Sequence, residues 1–179
     1  ITEMLPGWRM GDPADPATRL GPLVSGEHRR KVLNMIASAR EAGALLIAEP
    51  AAAPSQGFFV PPTVLGNVTP DMEIAREEVF GPVLAIMTYD TVDDAIEIAN
   101  STRYGLAATV WGDSLQKALA VASRIRAGQV DVNGAPFNPA APFGGFKQSG
   151  VGRENGRFGL EEFVESLSIQ MPLNYFEAA

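Results

Sequence analysis

The chain has 179 residues, of which 46 % are hydrophobic and 20 % charged, and it carries a net charge of −7. That composition is globular and long enough for a proper core, and its acidity, with basic residues clustered only at Arg29, Arg30 and Lys31, argues against nucleic acid or anionic lipid as a partner. Cysteine is absent and His28 is the single histidine, which excludes from this chain a disulfide, a thiol nucleophile, a Cys-ligated zinc and a multi-histidine metal site.

No apolar run approaches the ~20 residues that span a bilayer, and no signal-like segment opens the chain. The expectation is a protein without membrane contact. Lack of cysteine fits a cytoplasmic one. The first residue, Ile1, reads as the start of a piece processed or cut from something longer.

In chain order, residues 11–22 are rich in Pro, Asp and Gly and read as an irregular connection. Ser25 caps a helix running to about Ala42, with Val32, Ile36 and Ala39 on one face. The apolar run 44–48 reads as a buried strand, 49–56 as a loop, and 58–65 as extended, held so by Pro61 and Pro62. A short helical piece lies within 69–79, and 83–89 is a strand. Thr91 and Asp94 form a capping box ahead of Val92, Ala95, Ile96 and Ala99 at helical spacing. Residues 106–111 are a strand; Asp113 caps the next helix, with Leu115, Ala118, Leu119, Ala122 and Ile125 on one face, and Gly128 stops it. Residues 129–133 are a strand, 134–152 a long Gly- and Pro-dense loop, 155–162 helical and 164–170 a last strand. Strands alternating with helices of this length predict an α/β fold with βαβ units and a mainly parallel sheet.

Two segments carry candidate chemistry. In Glu77-Glu-Val-Phe-Gly-Pro82, an extended backbone at 78–80 would turn a carboxylate and a ring to one side. A carboxylate can accept bonds from the vicinal hydroxyls of a ribose, and a ring can pack on a flat heterocycle. The alternative is a helix-ending turn with Phe80 in the core and Glu77 and Glu78 solvated. The second segment runs from Pro142 to Glu154, with glycines at 144, 145, 150, 152 and, just beyond, 156. It reads either as a flexible surface loop or as a loop wrapped around something, and it lacks the Gly-Lys-Ser/Thr ending of a phosphate-binding loop. Glu154 is either a first-turn acid favoured by the helix dipole or a buried carboxylate that passes protons.

The pair EEVFGP at 77–82 and PFGGFKQSGVGRE at 142–154 resembles the aldehyde dehydrogenase superfamily. So do GPLVS at 21–25, PPTVL at 61–65, YGLAATVW at 104–111 and VNG at 132–134, so that the resemblance covers essentially the whole chain. It implies oxidation of an aldehyde to a carboxylic acid with NAD or NADP, through thiolate attack, a thiohemiacetal and a thioester. It also implies that the chain is a C-terminal portion: 1–162 match the catalytic domain downstream of the catalytic cysteine, and 163–179 the oligomerisation strand and tail. The cysteine and the general-base glutamate would lie upstream, the chain alone would be inactive, and the whole would be a homo-oligomer, a dimer or tetramer.

By position, the resemblance gives Glu78 the nicotinamide ribose and Phe80 the face of the nicotinamide. His28 falls where a polar side chain approaches the adenosine half, or is a plain surface histidine. Phe143 lines the aldehyde site, as does Phe137, in a stretch (133–142) whose length varies across the family. Glu154 matches a carboxylate of a proton relay, and the carbonyls of Lys147 and Gly150 match ligands of a potassium ion in some members. Two other readings remain: a stand-alone module that binds or assembles without catalysis, and a relative acting on a semialdehyde or an acyl phosphate. Neither the aldehyde nor the choice between NAD and NADP is legible in these residues.

Overall fold

The computed structural model describes residues 1–49 and 52–172. The chain divides into two compact units, Ile1–Arg103 and Tyr104–Ala179. The division falls inside the stretch 1–162 that the sequence reading treats as one.

In the first unit, Ser25 adopts extended backbone and its hydroxyl accepts from the His28 N–H at 3.1 Å, which starts helix α1, Gly26–Glu41. Val32, Met35 and Ala39 are its buried residues, whereas Ile36 is only half-buried. Strand β1, Leu45–Ala48, pairs antiparallel with β2, Thr63–Gly66, and β2 pairs parallel with β3, Val83–Ala85. The short helix α2, Glu73–Arg76, lies on the crossover between the two parallel strands. Ala39, Ala44, Leu65, Val68, Met72 and Ile74 form one buried cluster, with Val79, Val83 and Ala85 packed against it. Helix α3, Val92–Asn100, begins with the expected reciprocal capping box between Thr91 and Asp94.

The second unit is built on one βαβ unit. Strands β4, Ala107–Val110, and β5, Gln129–Val132, run parallel from Ala107↔Gln129 to Val110↔Val132, and helix α4, Leu115–Ala122, packs on both. A loop follows, broken by a 3-10 turn at Lys147–Ser149, and then helix α5, Gly156–Glu161.

An α/β fold with mainly parallel pairing is therefore present, with several corrections in detail. β3 joins the three-stranded sheet β1-β2-β3 and β4 the separate pair β4-β5, so α3 does not connect neighbours within one sheet. β1 is a strand but is not buried: Leu45 is 63 %, Leu46 39 % and Ile47 48 % exposed, because little packs over the faces of this strand, and only Ala48 is half-buried. Ser114, not Asp113, caps α4. Gly128 does not stop α4, which ends at Ala122. Its role is close approach, since a Cβ there would lie 1.5 Å from the Gly144 carbonyl oxygen. Residues 164–170 form no strand: they have no regular structure and no ladder partner among the described residues. Of the expected loop 49–56, residues 50 and 51 lie outside the described residues, as do 173–179 of the expected terminal segment.

Candidate functional site

The first group of candidate residues follows α2. Exposure alternates here: Glu78 and Phe80 face solvent while Val79, between them, packs against the core. The backbone is nonetheless not extended throughout, because Phe80 sits at φ 51°, in the left-handed region. The ring is 64 % exposed, which removes the reading of Phe80 as a core residue. The two adjacent acids differ. Glu77 pairs with Arg103, whereas the Glu78 carboxylate has no partner among the described residues. A bare carboxylate and a bare ring thus share one turn whose middle residue is anchored in the core.

His28 lies in the first turn of α1, half-buried, with its backbone N–H committed to the Ser25 cap. It is in the same unit as Glu78 and Phe80.

The second group lies in the glycine-rich loop. Phe143 and Glu154 exchange both backbone hydrogen bonds, at 2.8 and 2.6 Å, in an isolated antiparallel bridge. That bridge closes the loop between them into a hairpin-like lobe. Glu154 is therefore neither the first-turn acid nor the buried carboxylate of the sequence reading: it precedes α5 by two residues, and it is exposed. Phe137 meets Phe143 edge to face, with ring centroids 6.4 Å apart and planes at 73°. The structure so brings together the two aromatic residues expected at an aldehyde site. Lys147 and Gly150 bracket the 3-10 turn, both with positive φ.

The glycines of this loop serve the loop itself. Its backbone runs so close to neighbouring backbone that the segment is packed rather than free, as at Gly128 against Gly144. The Gly105 N–H donates to the Ser149 hydroxyl at 3.0 Å, and the Gly105 carbonyl accepts from the Phe146 N–H at 2.8 Å, tying the lobe to the start of β4. Arg153 is the residue that sequence reasoning passed over. Its guanidinium donates to the carbonyls of Gly145, at 3.0 Å, and Gly152, at 2.8 Å, and stands 5.3 Å from the Phe146 ring centroid. A lone arginine in a glycine-rich run full of bare carbonyls was the available signal. A cavity of about 650 Å³ opens beside the lobe, lined by Leu106, Phe143, Arg153, Glu154, Leu160 and Phe163 among others.

Among the described residues no group of three or more His, Asp or Glu side chains could hold a metal ion, and no helix is long and apolar enough to cross a membrane.

Comparison with known proteins adds the following. Residues 1–169 match the model of the Aldehyde dehydrogenase family. Aldehyde dehydrogenase 1A1 of Gallus gallus is 45 % identical over 168 residues, which are 92 % of this chain and 33 % of that protein. A betaine aldehyde dehydrogenase of Cereibacter sphaeroides is 43 % identical over 179 residues, 99 % of this chain and 37 % of that protein. The solved structure of a Mycobacterium tuberculosis aldehyde dehydrogenase complexed with NAD+ superposes with a TM-score of 0.91 at 44 % identity, covering 97 % of this chain and 36 % of that one. A Pseudomonas syringae aldehyde dehydrogenase mutant in complex with NAD+ and octanal superposes with a TM-score of 0.86 at 46 % identity, covering 92 % and 34 %. This chain spans about a third of the length of the curated relatives it matches.

Proposed function

The chain belongs to the aldehyde dehydrogenase family, and on that premise we propose that it is the C-terminal portion of an NAD(P)-dependent enzyme that oxidises an aldehyde to a carboxylic acid. The observation that carries this reading is the match over residues 1–169 to proteins about three times as long, several solved with NAD+ bound. With no cysteine in the chain, the nucleophile comes from the upstream part of the enzyme, together with the general-base glutamate.

The donor chemistry present fits the nicotinamide end of the cofactor. A bare carboxylate and a bare ring on one anchored turn suit a ribose diol and a flat, charged heterocycle. Glu78 accepts hydrogen bonds from the ribose hydroxyls, and Phe80 flanks the heterocycle. NAD(P)+, when bound, supplies the two-electron acceptor. His28 stands toward the adenosine half.

Phe143 and Phe137 wall the aldehyde pocket and exclude water from the reacting carbon. Glu154, exposed and without a side-chain partner among the described residues, exchanges protons with water entering the site. As in some members of the family, the carbonyls of Lys147 and Gly150 would be the ligands of a potassium ion. Residues 163–179 serve oligomerisation.

The test uses the enzyme with its upstream sequence. Given an aldehyde and NAD+ or NADP+, it should form reduced cofactor and carboxylic acid in equal amounts. Failure to reduce either cofactor across short, long, aromatic and betaine aldehydes would refute the reading.

A further inference from the structure

The end of the β4–β5 ladder has an unusual last rung. The main chain makes its final ladder bond where the Asn133 N–H donates to the Val110 carbonyl at 2.9 Å. The next rung is made by a side chain. Asn133 Oδ1 accepts from the Gly112 N–H at 2.8 Å, and Asn133 Nδ2 donates to the Gly112 carbonyl at 2.9 Å. A primary amide has the donor and acceptor of a peptide unit, so it can take the place of one.

Because the side chain satisfies Gly112, the main chain is free to leave the sheet there. It does so through two consecutive left-handed residues, Asn133 at φ 52° and Gly134 at φ 75°. Asparagine is among the few non-glycine residues that take this conformation at small cost. The turn is pressed against the residue that follows β4: a Cβ on Gly134 would lie 2.9 Å from the Trp111 ring. The segment that departs carries Phe137, whose ring ends edge-on against Phe143.

We propose that Asn133 is a positioning residue for substrate size. Its amide clasp on Gly112 fixes where the 134–142 segment leaves the sheet, and hence where Phe137 stands against Phe143. The inference rests on the aldehyde-oxidising reading above and adds to it a residue that touches neither substrate nor cofactor. Loss of the clasp lets Phe137 drift, which matters for an aldehyde long enough to reach it and hardly at all for acetaldehyde.

The experiment has two arms. In the 179-residue chain, the through-space NMR contact between the Phe137 and Phe143 rings is measured in wild type, Asn133→Ala and Asn133→Asp. The clasp predicts that the contact is lost in Asn133→Ala. In Asn133→Asp it is lost at pH 8 and regained toward about pH 4, where a protonated carboxyl can again donate to the Gly112 carbonyl. In the enzyme with its upstream sequence, Asn133→Ala should raise KM for octanal roughly tenfold, leaving kcat and the KM for acetaldehyde within about twofold. A ring contact that survives in Asn133→Ala, or one that Asn133→Asp loses equally at both pH values, overturns the clasp. So does an equal KM rise for both aldehydes. If the wild-type enzyme oxidises no aldehyde, the functional reading falls, and the ring contact still decides whether Asn133 positions Phe137.

Discussion

Glu77 and Glu78 are neighbours with different fates. Glu77 is paired with Arg103 at the surface, an arrangement that contributes at most ~1 kcal/mol. Glu78 has no such partner among the described residues. In the full enzyme, Glu78→Gln should lower kcat by roughly 10²-fold through misaligned cofactor, with the melting temperature nearly unchanged. Glu77→Gln should leave kcat alone. An unaltered kcat in Glu78→Gln would return Glu78 to a solvated acid. Asp71 offers a second residue-scale test. Its carboxyl is held below its ordinary value, chiefly by the Thr69 hydroxyl donating to it at 2.5 Å, then by its own backbone N–H, with Arg76 adding and desolvation opposing. A lowered folded-state value means stabilisation that is present above the unfolded value and lost as pH falls through the folded one. Thr69→Val should therefore move the Asp71 titration, followed by carboxyl NMR shifts, upward toward that of a free aspartate; an unmoved titration would remove the hydroxyl as the cause. Such details are only partly legible in sequence. Glu78 and Phe80 could be singled out from i, i+2 spacing, but the left-handed turn at Phe80 depends on Val79 packing into a core assembled from distant residues.

At the scale of elements, local signals fared best. The Ser25 cap and the Thr91–Asp94 box act within three residues, so the sequence contains all of their physics. Where two capping residues stand side by side, as at Asp113 and Ser114, composition gives no way to choose, and the chain uses Ser114. Elements that need partners were less legible. The apolar run at 44–48 holds a strand, yet such a run says nothing about whether a second layer covers it. Gly128 looks like a helix stop and is instead the point where β5 begins under the glycine-rich lobe. Gly128→Ala should accordingly cost at least about 2 kcal/mol, because neither of the two backbones in contact can give way. Urea unfolding would measure this, and loss of the Phe143–Glu154 backbone bridge should accompany it in amide exchange. A neutral effect would mean that the Gly144 carbonyl can move aside and that the lobe is not docked as tightly as its spacing indicates.

At the scale of the whole molecule, the dominant feature is apolar surface left bare beyond α5. Phe163 is 87 %, Leu167 84 % and Ile169 77 % exposed, on a stretch with no ladder partner among the described residues. A sequence rich in such residues reads as a strand because it satisfies every local rule for one. What it lacks among the described residues is a neighbour, and a strand without a neighbour leaves its N–H and C=O groups to water. Such a segment in water gains by covering itself, and an apolar stretch does so most readily by pairing with a sheet edge or with its own copy. The 179-residue chain should therefore associate. Light scattering is expected to show dimers or larger species whose mass rises with concentration, and removal of residues 163–179 should shift the population toward monomer. The same preparation should oxidise no aldehyde with NAD+ or NADP+, because it contains no thiol to form the thiohemiacetal. The two measurements separate two claims. A chain that stays monomeric over a wide concentration range shows that the bare segment is harmless and removes it as an assembly element. A chain that turns over aldehyde by itself shows that the nucleophile need not come from upstream, and the assignment of the reaction to a longer enzyme fails with it.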